Sequence, residues 1–389
     1  MKDRHQWTQL HAQVHRTLRQ RQLLPKKARI LVAVSGGQDS LCLVKLLIDL
    51  RSKWDWELAI AHLDHAWRPD SADNASYVRE LANQWQLPFY LRTAPSQTIS
   101  ETILPKTEAS ARQWRYQLLG EIAISAGYAY IATAHTATDC AETLLFNLTR
   151  GSGADGIVAL AWQRSLTEGV TLVRPLLEVT RQQTGEFCHS AEIAIWEDAT
   201  NRDLKYSRNR IRLELLPYLA KHFNQKVESH LAQTAELLRA DVEYLETAAG
   251  ELLAEALSFD ISDTSTNTST NISTNISTNI SAKNPDIQDT GAKNIPKKDL
   301  TKKNILGQLP RSHLSRVNRR ILAKAHPAIQ RRAMRQWLQL VQCSPNFDRV
   351  EKIVALISAP NRSRTDTFPG GAIARVEGDW IVLDNKEEN

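Results

Sequence analysis

The sequence predicts an α/β fold: a parallel five-stranded sheet with helices on both faces, then a helical linker and a small C-terminal α+β domain. Three observations predict it. Apolar, β-branched runs of strand length alternate with helical patterns between residues 29 and 177, the order that builds a parallel sheet. The polar clusters capable of chemistry fall directly after those runs, where such sheets bind ligands. Beyond residue 260 the composition changes abruptly. At 389 residues the chain is long enough for two or three domains.

The elements follow in order. Residues 7–24 carry Leu10, Val14 and Leu18 at four-residue spacing and stop near Pro25, a basic amphipathic helix that covers the sheet. Strands are expected at 29–34, 57–63, 88–92, 128–135 and 171–177. Helices are expected at 41–50, 72–86, 108–126 and 139–149. Residues 225–256 read as a long helix whose stripe of Leu231, Leu237, Leu238, Val242, Leu245, Leu252 and Leu253 suits interdomain packing. From 263 to about 281, Ser/Thr-Asn units repeat. With the Lys/Asn-rich stretch to about 303, this segment buries too little apolar surface to fold and reads as a disordered insertion. Its Asn-Ile-Ser sites match the glycosylation pattern, but nothing indicates secretion. In the last domain Ala333, Trp337, Leu338 and Val341 form an apolar face. A helix follows at 348–357, then a hairpin of 372–376 and 380–383 around Glu377-Gly378-Asp379. The expected segments are an N-terminal helix (1–27), a catalytic domain (28–224), a helical linker (225–260), the insertion (261–304) and the C-terminal domain (305–389).

Composition narrows the classes. No run of about 18 apolar residues exists, so no membrane helix is expected, and the polar N-terminus lacks the apolar core of a signal peptide. Cys42, Cys140, Cys188 and Cys343 are scattered without a C-x-x-C pair, against a disulfide framework or a cysteine-rich zinc site. The expected home is a reducing cytosol or an organelle stroma. A net charge of +6 fits a polyanionic partner.

The chemistry centres on Ser35-Gly36-Gly37-Gln38-Asp39-Ser40, which joins a buried strand to a helix. That geometry aims free N–H groups and the positive end of a helix dipole at the loop. Gly36 and Gly37 let backbone approach a ligand closely, and Ser35 and Ser40 add hydroxyl donors. A phosphate chain is the natural ligand. Asp39, which would repel phosphate, makes sense as a Mg²⁺ ligand. An ordinary strand–turn–helix joint is the competing reading. Neither G-x-x-x-x-G-K-[ST] nor G-x-G-x-x-G occurs here.

Four further clusters stand out. Asp139 and Glu142 are three apart at a helix start and share a face; they suit Mg²⁺ or a cationic substrate group, or serve as caps. Arg112 and Arg115, with Tyr116, form either a solvated basic face or a phosphate contact. Arg208, Asn209 and Arg212 would share one helical face suited to RNA. Between Arg311 and Arg335 there are eight Lys/Arg and no acid, which places Arg331, Arg332 and Arg335 as candidates for a tRNA-sized polyanion. A Gly-rich stretch, Arg150-Gly151-Ser152-Gly153, adds a flexible loop near the site.

Together these residues resemble the tRNA(Ile)-lysidine synthase family, within the ATPases that cleave ATP between its α and β phosphates. The resemblance runs from about residue 29 to 219. It rests on Ser35–Ser40, on His62-Leu63-Asp64-His65 with Arg68 and Ser71, and on Ala111-Arg112-Gln113-Trp114-Arg115-Tyr116. It continues through Thr133-Ala134-His135, Asp139, Glu142-Thr143, Arg174-Pro175-Leu176-Leu177 and residues 198–212. Many members carry His-His-x-Asp-Asp-Gln after the fourth strand; here Thr136 and Thr138 replace the second His and the first Asp.

The resemblance implies adenylation of the wobble cytidine of a tRNA(Ile) with CAU anticodon, release of pyrophosphate, and attack by the ε-amine of free L-lysine with loss of AMP. It implies ATP contact by the loop residues together with His62 and His135, Mg²⁺ on Asp39, and catalytic roles for Asp39, Asp139, Glu142, Arg112 and Arg115. It also admits a homodimer. A tRNA-thiolating relative would need paired cysteines, and an amidotransferase-linked synthetase an ammonia-producing domain. A non-catalytic tRNA-binding protein would not need Asp39.

Overall fold

The computed structural model describes residues 7–64, 70–94, 108–158, 160–196, 202–258, 314–368 and 371–384. His65, Arg68, residues 198–201, Arg311 and the 261–304 insertion lie outside the described residues. The chain divides into two compact units, Met1–Arg239 and Ala240–Asn389.

In the first unit, helix α1 (Gln9–Gln20) precedes β1 (Arg29–Ala33), α2 (Gln38–Trp54), β2 (Glu57–Asp64), α3 (Ser71–Gln84) and β3 (Phe89–Thr93). After α4 (Glu108–Ala126) come β4 (Tyr130–Ala132), α5 (Ala137–Thr149), the short α6 (Ala154–Ile157), β5 (Gln163–Thr167), β6 (Val170–Val173) and α7 (Arg181–Ser190). The sheet order is β3-β2-β1-β4-β6-β5, and all pairings are parallel except β5 with β6. The chain runs outward from β1 to β3, then returns to β4 on the other side of β1. The crevice of such a sheet lies at that reversal, beyond the carboxyl ends of β1 and β4.

Strand alternation builds two cores. Ile30, Val32, Leu58 and Ile60 pack with residues of α1, α2, α3 and α7. Leu31, Ala59, Ala61, Ile131 and Leu172 pack under Leu119, Ile122 and Ala123 of α4. Each fully buried aliphatic side chain contributes about 1.5–3 kcal/mol relative to exposure, so strands apolar on both faces belong in the interior of the sheet.

The sheet has six strands, not five. The extra strand, β5, is Gln-Arg-Ser-Leu-Thr, exposed along its first three residues. An edge strand with one solvated face needs no apolar run, so its sequence carries no strand-like periodicity. Gly169, at φ +74°, marks its hairpin to β6. The expected strand at 171–177 is also shorter, because Pro175 has no N–H to offer a ladder.

The chain then forms α8 (Ser207–Arg210), a π-helical turn (Ile211–Leu215), α9 (Leu216–His222) and α10 (Val227–Ser258). Of the stripe expected on that last helix, Leu237 is 72% exposed. The second unit holds β7 (Arg316–Asn318), α11 (Arg319–Leu322), α12 (Pro327–Leu340), α13 (Phe347–Leu356), β8 (Ile373–Glu377) and β9 (Trp380–Asp384). The expected hairpin is present, and β7 adds a third antiparallel strand in the order β7-β9-β8. Trp337, Leu338 and Met334 are fully buried in its core. Among the described residues no helix is long and apolar enough to cross a membrane.

Candidate active site

The Ser35–Ser40 loop leaves β1 and turns into α2. Gly36 has φ +88°, and a Cβ there would lie 2.3 Å from Asn74 Oδ1, so the position demands glycine. Asn74 Nδ2 donates to the Ser35 carbonyl (3.0 Å), and the Trp196 amide donates to the Gly36 carbonyl (3.0 Å). Within the loop the Ser35 amide donates to Ser40 Oγ (3.1 Å), which donates to the Gly37 carbonyl (2.9 Å). Gly37 is the N-cap of α2 and brings no side chain to it. The first-turn amides of a 17-residue helix therefore face the loop, the arrangement that attracts oxyanions.

Helix α7 braces this turn. Gln38 Nε2 donates to the Arg181 carbonyl (2.6 Å) and to Thr184 Oγ1 (3.0 Å). Asp39 accepts from Arg181 Nη1 at 2.7 Å and from the Thr184 hydroxyl. Burial raises the Asp39 pKa; Arg181 and Thr184 oppose that, while Asp139 adds to it. The Asp139 effect brings the two carboxylates into one electrostatic neighbourhood. Sequence reasoning missed Arg181 and Thr184, although Thr180-Arg181-Gln182-Gln183 carries a capping-box signature and forms that box here.

The second wall comes from the start of α5. Thr136 is its N-cap: the Thr136 amide and hydroxyl both donate to Asp139 Oδ2 at 2.8 Å. Thr138 is buried, bonds Glu228 and accepts from the Arg181 amide at 3.0 Å. The two threonines that depart from the family pattern thus cap α5 and tie it to α7 and α10. Glu142 is buried, and Arg212 grips both its oxygens, Nε to Oε1 at 2.5 Å and Nη2 to Oε2 at 2.9 Å. The Arg212 guanidinium also lies 3.8 Å from Asp139 Oδ1. Burial raises the Glu142 pKa against the pull of Arg212. Arg212 sits in the π-helical turn, an irregularity that often marks functional positions.

The histidines are held by the sheet. His62 Nδ1 donates to the Val34 carbonyl (2.8 Å), and His135 Nδ1 pairs with Thr133 Oγ1 (3.1 Å). Burial drives the His135 pKa down to about 4, with Asp139 opposing and Arg174, Arg112 and Arg115 reinforcing. Arg112 lies over the Tyr116 ring at 5.4 Å, and Arg115 is exposed. Asn209, expected on a shared RNA face, is buried and donates to the Asp203 carbonyl (2.8 Å), while Arg212 turns inward to Glu142; of that trio Arg208 is half-buried.

In the second unit Arg331 forms a bidentate pair with Glu351 (2.6 and 3.2 Å). Arg332 and Arg335 each reach Glu246 of α10 at 2.6 Å. These acids come from outside the acid-free stretch, so sequence distance hid them. Cys42, Cys140 and Cys188 are buried, and no group of three metal-ligating side chains exists among the described residues.

Residues 7–219 match the PP-loop domain family, and residues 318–380 match the TilS substrate binding domain. A tRNA(Ile)-lysidine synthase from a Nostoc species is 52% identical over 382 residues, covering 98% of each chain. One from a Synechocystis species is 44% identical over 96% of this chain and 97% of its own. A chloroplastic tRNA(Ile)-lysidine synthase from Zygnema circumcarinatum is 35% identical over 64% of this chain and 67% of its own. A phosphate loop braced by α7, an acidic pair beside it and near-full-length identity point the same way: the chain belongs to the tRNA(Ile)-lysidine synthase family.

Proposed function

We propose that this protein forms lysidine at the wobble cytidine of a tRNA(Ile) with CAU anticodon, using ATP and free L-lysine. The observation that carries the reading is the phosphate loop after β1 facing the Asp139/Glu142 pair after β4, across the switch point of the sheet. In the first step the cytidine ring carbonyl oxygen attacks the α-phosphate of ATP and pyrophosphate leaves. In the second the lysine ε-amine attacks the activated ring carbon, AMP leaves with the bonding electrons, and the amine loses a proton. The product pairs with adenosine rather than guanosine, so the anticodon reads AUA instead of AUG.

The loop residues Ser35, Gly36, Gly37, Gln38 and Ser40 grip the departing diphosphate through loop and α2 first-turn amides and the Ser35 hydroxyl, while the Ser40 hydroxyl holds the turn through the Gly37 carbonyl. Asp39 would hold Mg²⁺, which would neutralise the diphosphate charge. One carboxylate beside a phosphate loop fits the way Mg²⁺ binds, chiefly through phosphates and water, and Arg181 must then yield Asp39 Oδ2. Asp139 and Glu142 attract the lysine ammonium. Arg212 neutralises Glu142 through both oxygens, so the proton falls to Asp139, whose Oδ1 is the less engaged oxygen. Arg112 and Arg115 offset phosphate charge, and Arg208 contacts the tRNA backbone.

The test is lysine incorporation by the purified chain with ATP, Mg²⁺ and radiolabelled lysine on unmodified tRNA(Ile), with tRNA(Met) as control. Label that needs ATP, appears on tRNA(Ile) alone and survives mild base is the expected result. AMP release without label would move the search to another nucleophile. Absence of both label and AMP release would refute the reading.

A further inference from the structure

One group of charges in the first unit has no counter-ion among the described residues. Three guanidiniums converge on a single phenol, Tyr116 of α4. Arg112 lies over its ring at 5.4 Å and Arg164 of β5 at 4.7 Å. Arg174, directly after β6, is close enough to Tyr116 that its positive charge lowers the phenol's pKa. Arg174 is 2% exposed. Its Nη1 donates to the Ala161 carbonyl (2.5 Å), and its Nε–H has no acceptor among the described residues. No described carboxylate pairs with Arg112, Arg164 or Arg174, whereas Arg181 and Arg212 each have one.

The imbalance is costly as it stands. A buried guanidinium left without an acid is destabilising, and so is a buried donor without a partner. Burial alone would raise the Tyr116 pKa, yet Arg112, Arg174 and Arg164 outweigh it and the net shift is downward. The field at this point is therefore strongly positive. Arg174 and Arg112 also act on His135, which feels Asp139, so the cluster adjoins the acidic pair. Its strand-borne members follow β6 and open β5, at the carboxyl edge of the sheet.

We infer that Arg112, Arg164 and Arg174, gathered on Tyr116, form a phosphate-binding subsite separate from the Ser35–Ser40 loop. The guanidinium fork suits a phosphate oxyanion, which it binds in bidentate fashion. The lysidine reading supplies two sources of that phosphate, the nucleotide monophosphate or the tRNA backbone, and the assignment rests on that reading for its ligand.

The test compares the full chain with Arg164→Gln, an exposed strand position, and Arg164→Lys. Calorimetry gives affinities for AMP and for adenosine; filter binding gives tRNA(Ile) affinity against salt. A nucleotide source predicts about a tenfold loss of AMP affinity in Arg164→Gln with adenosine unchanged. A tRNA source predicts unchanged AMP affinity, weaker tRNA binding, and a salt slope reduced by about one. Arg164→Lys should retain most of either affinity. Should Arg164→Gln fail to fold, Tyr116→Leu, which removes the ring that Arg112 and Arg164 lie over, makes the same comparison. Folded variants with unchanged AMP and tRNA affinities overturn the subsite. Lysine incorporation by the unmutated chain is measured alongside, so its absence would refute the lysidine reading while the phosphate result stands by itself.

Discussion

Gly36→Ala tests how the loop is built. Two costs can be separated. A non-glycine residue at φ +88° bears about 1–2 kcal/mol of backbone strain. The new methyl would also sit 2.3 Å from Asn74 Oδ1 and 3.3 Å from Trp196 Cβ, so Asn74 must move. Moving it breaks the hydrogen bond to the Ser35 carbonyl, worth about 1 kcal/mol. The expected loss is about 2–3 kcal/mol, measured by urea unfolding with an unchanged m-value. Asn74→Ala alone should cost about 1 kcal/mol. In the double variant the clash is gone, so the two losses should fall short of additivity by about 1 kcal/mol. Strictly additive losses, or a Gly36→Ala protein as stable as the parent, would refute the geometry of the loop.

Other expectations follow from the same site. Arg212→Met leaves Glu142 buried without its partner and should cost about 3–5 kcal/mol; a loss below 1 kcal/mol in urea unfolding would contradict the buried pair. Asp139→Asn keeps an acceptor oxygen for the Thr136 cap and removes the charge, so turnover should fall sharply while tRNA binding and melting temperature persist; unchanged turnover would exclude the proton-accepting role. His135 has a folded pKa near 4 against an ordinary 6.5. The unfolded chain therefore binds the extra proton first, and stability falls as pH drops from about 6.5 toward 4. Between pH 7 and pH 5 this one group should remove about 2 kcal/mol, and His135→Gln should abolish that part of the pH dependence. Arg331→Gln breaks only the exposed pair with Glu351 and should shift stability by less than about 1 kcal/mol.

The sequence by itself determined the alternation of strands and helices, the phosphate loop between β1 and α2, and the acidic pair at the start of α5. Those features are local: periodicity of apolar residues, glycine where backbone must turn, and carboxylates one helical turn apart can be read within a window of some twenty residues. Tertiary structure decided what each charge faces. Arg181 arrives at Asp39 from 142 residues away, Arg212 at Glu142 from 70, and Glu246 at Arg332 from 86. The edge strand β5 belongs with these, since its only signal is the partner it lies against. Threonines 136 and 138 look like losses in the sequence and act as a cap and a tie in the fold. Partner choice depends on which chain segments the topology brings within a few ångströms, and Coulomb and hydrogen-bond energies act at that range only once the sheet has set its order.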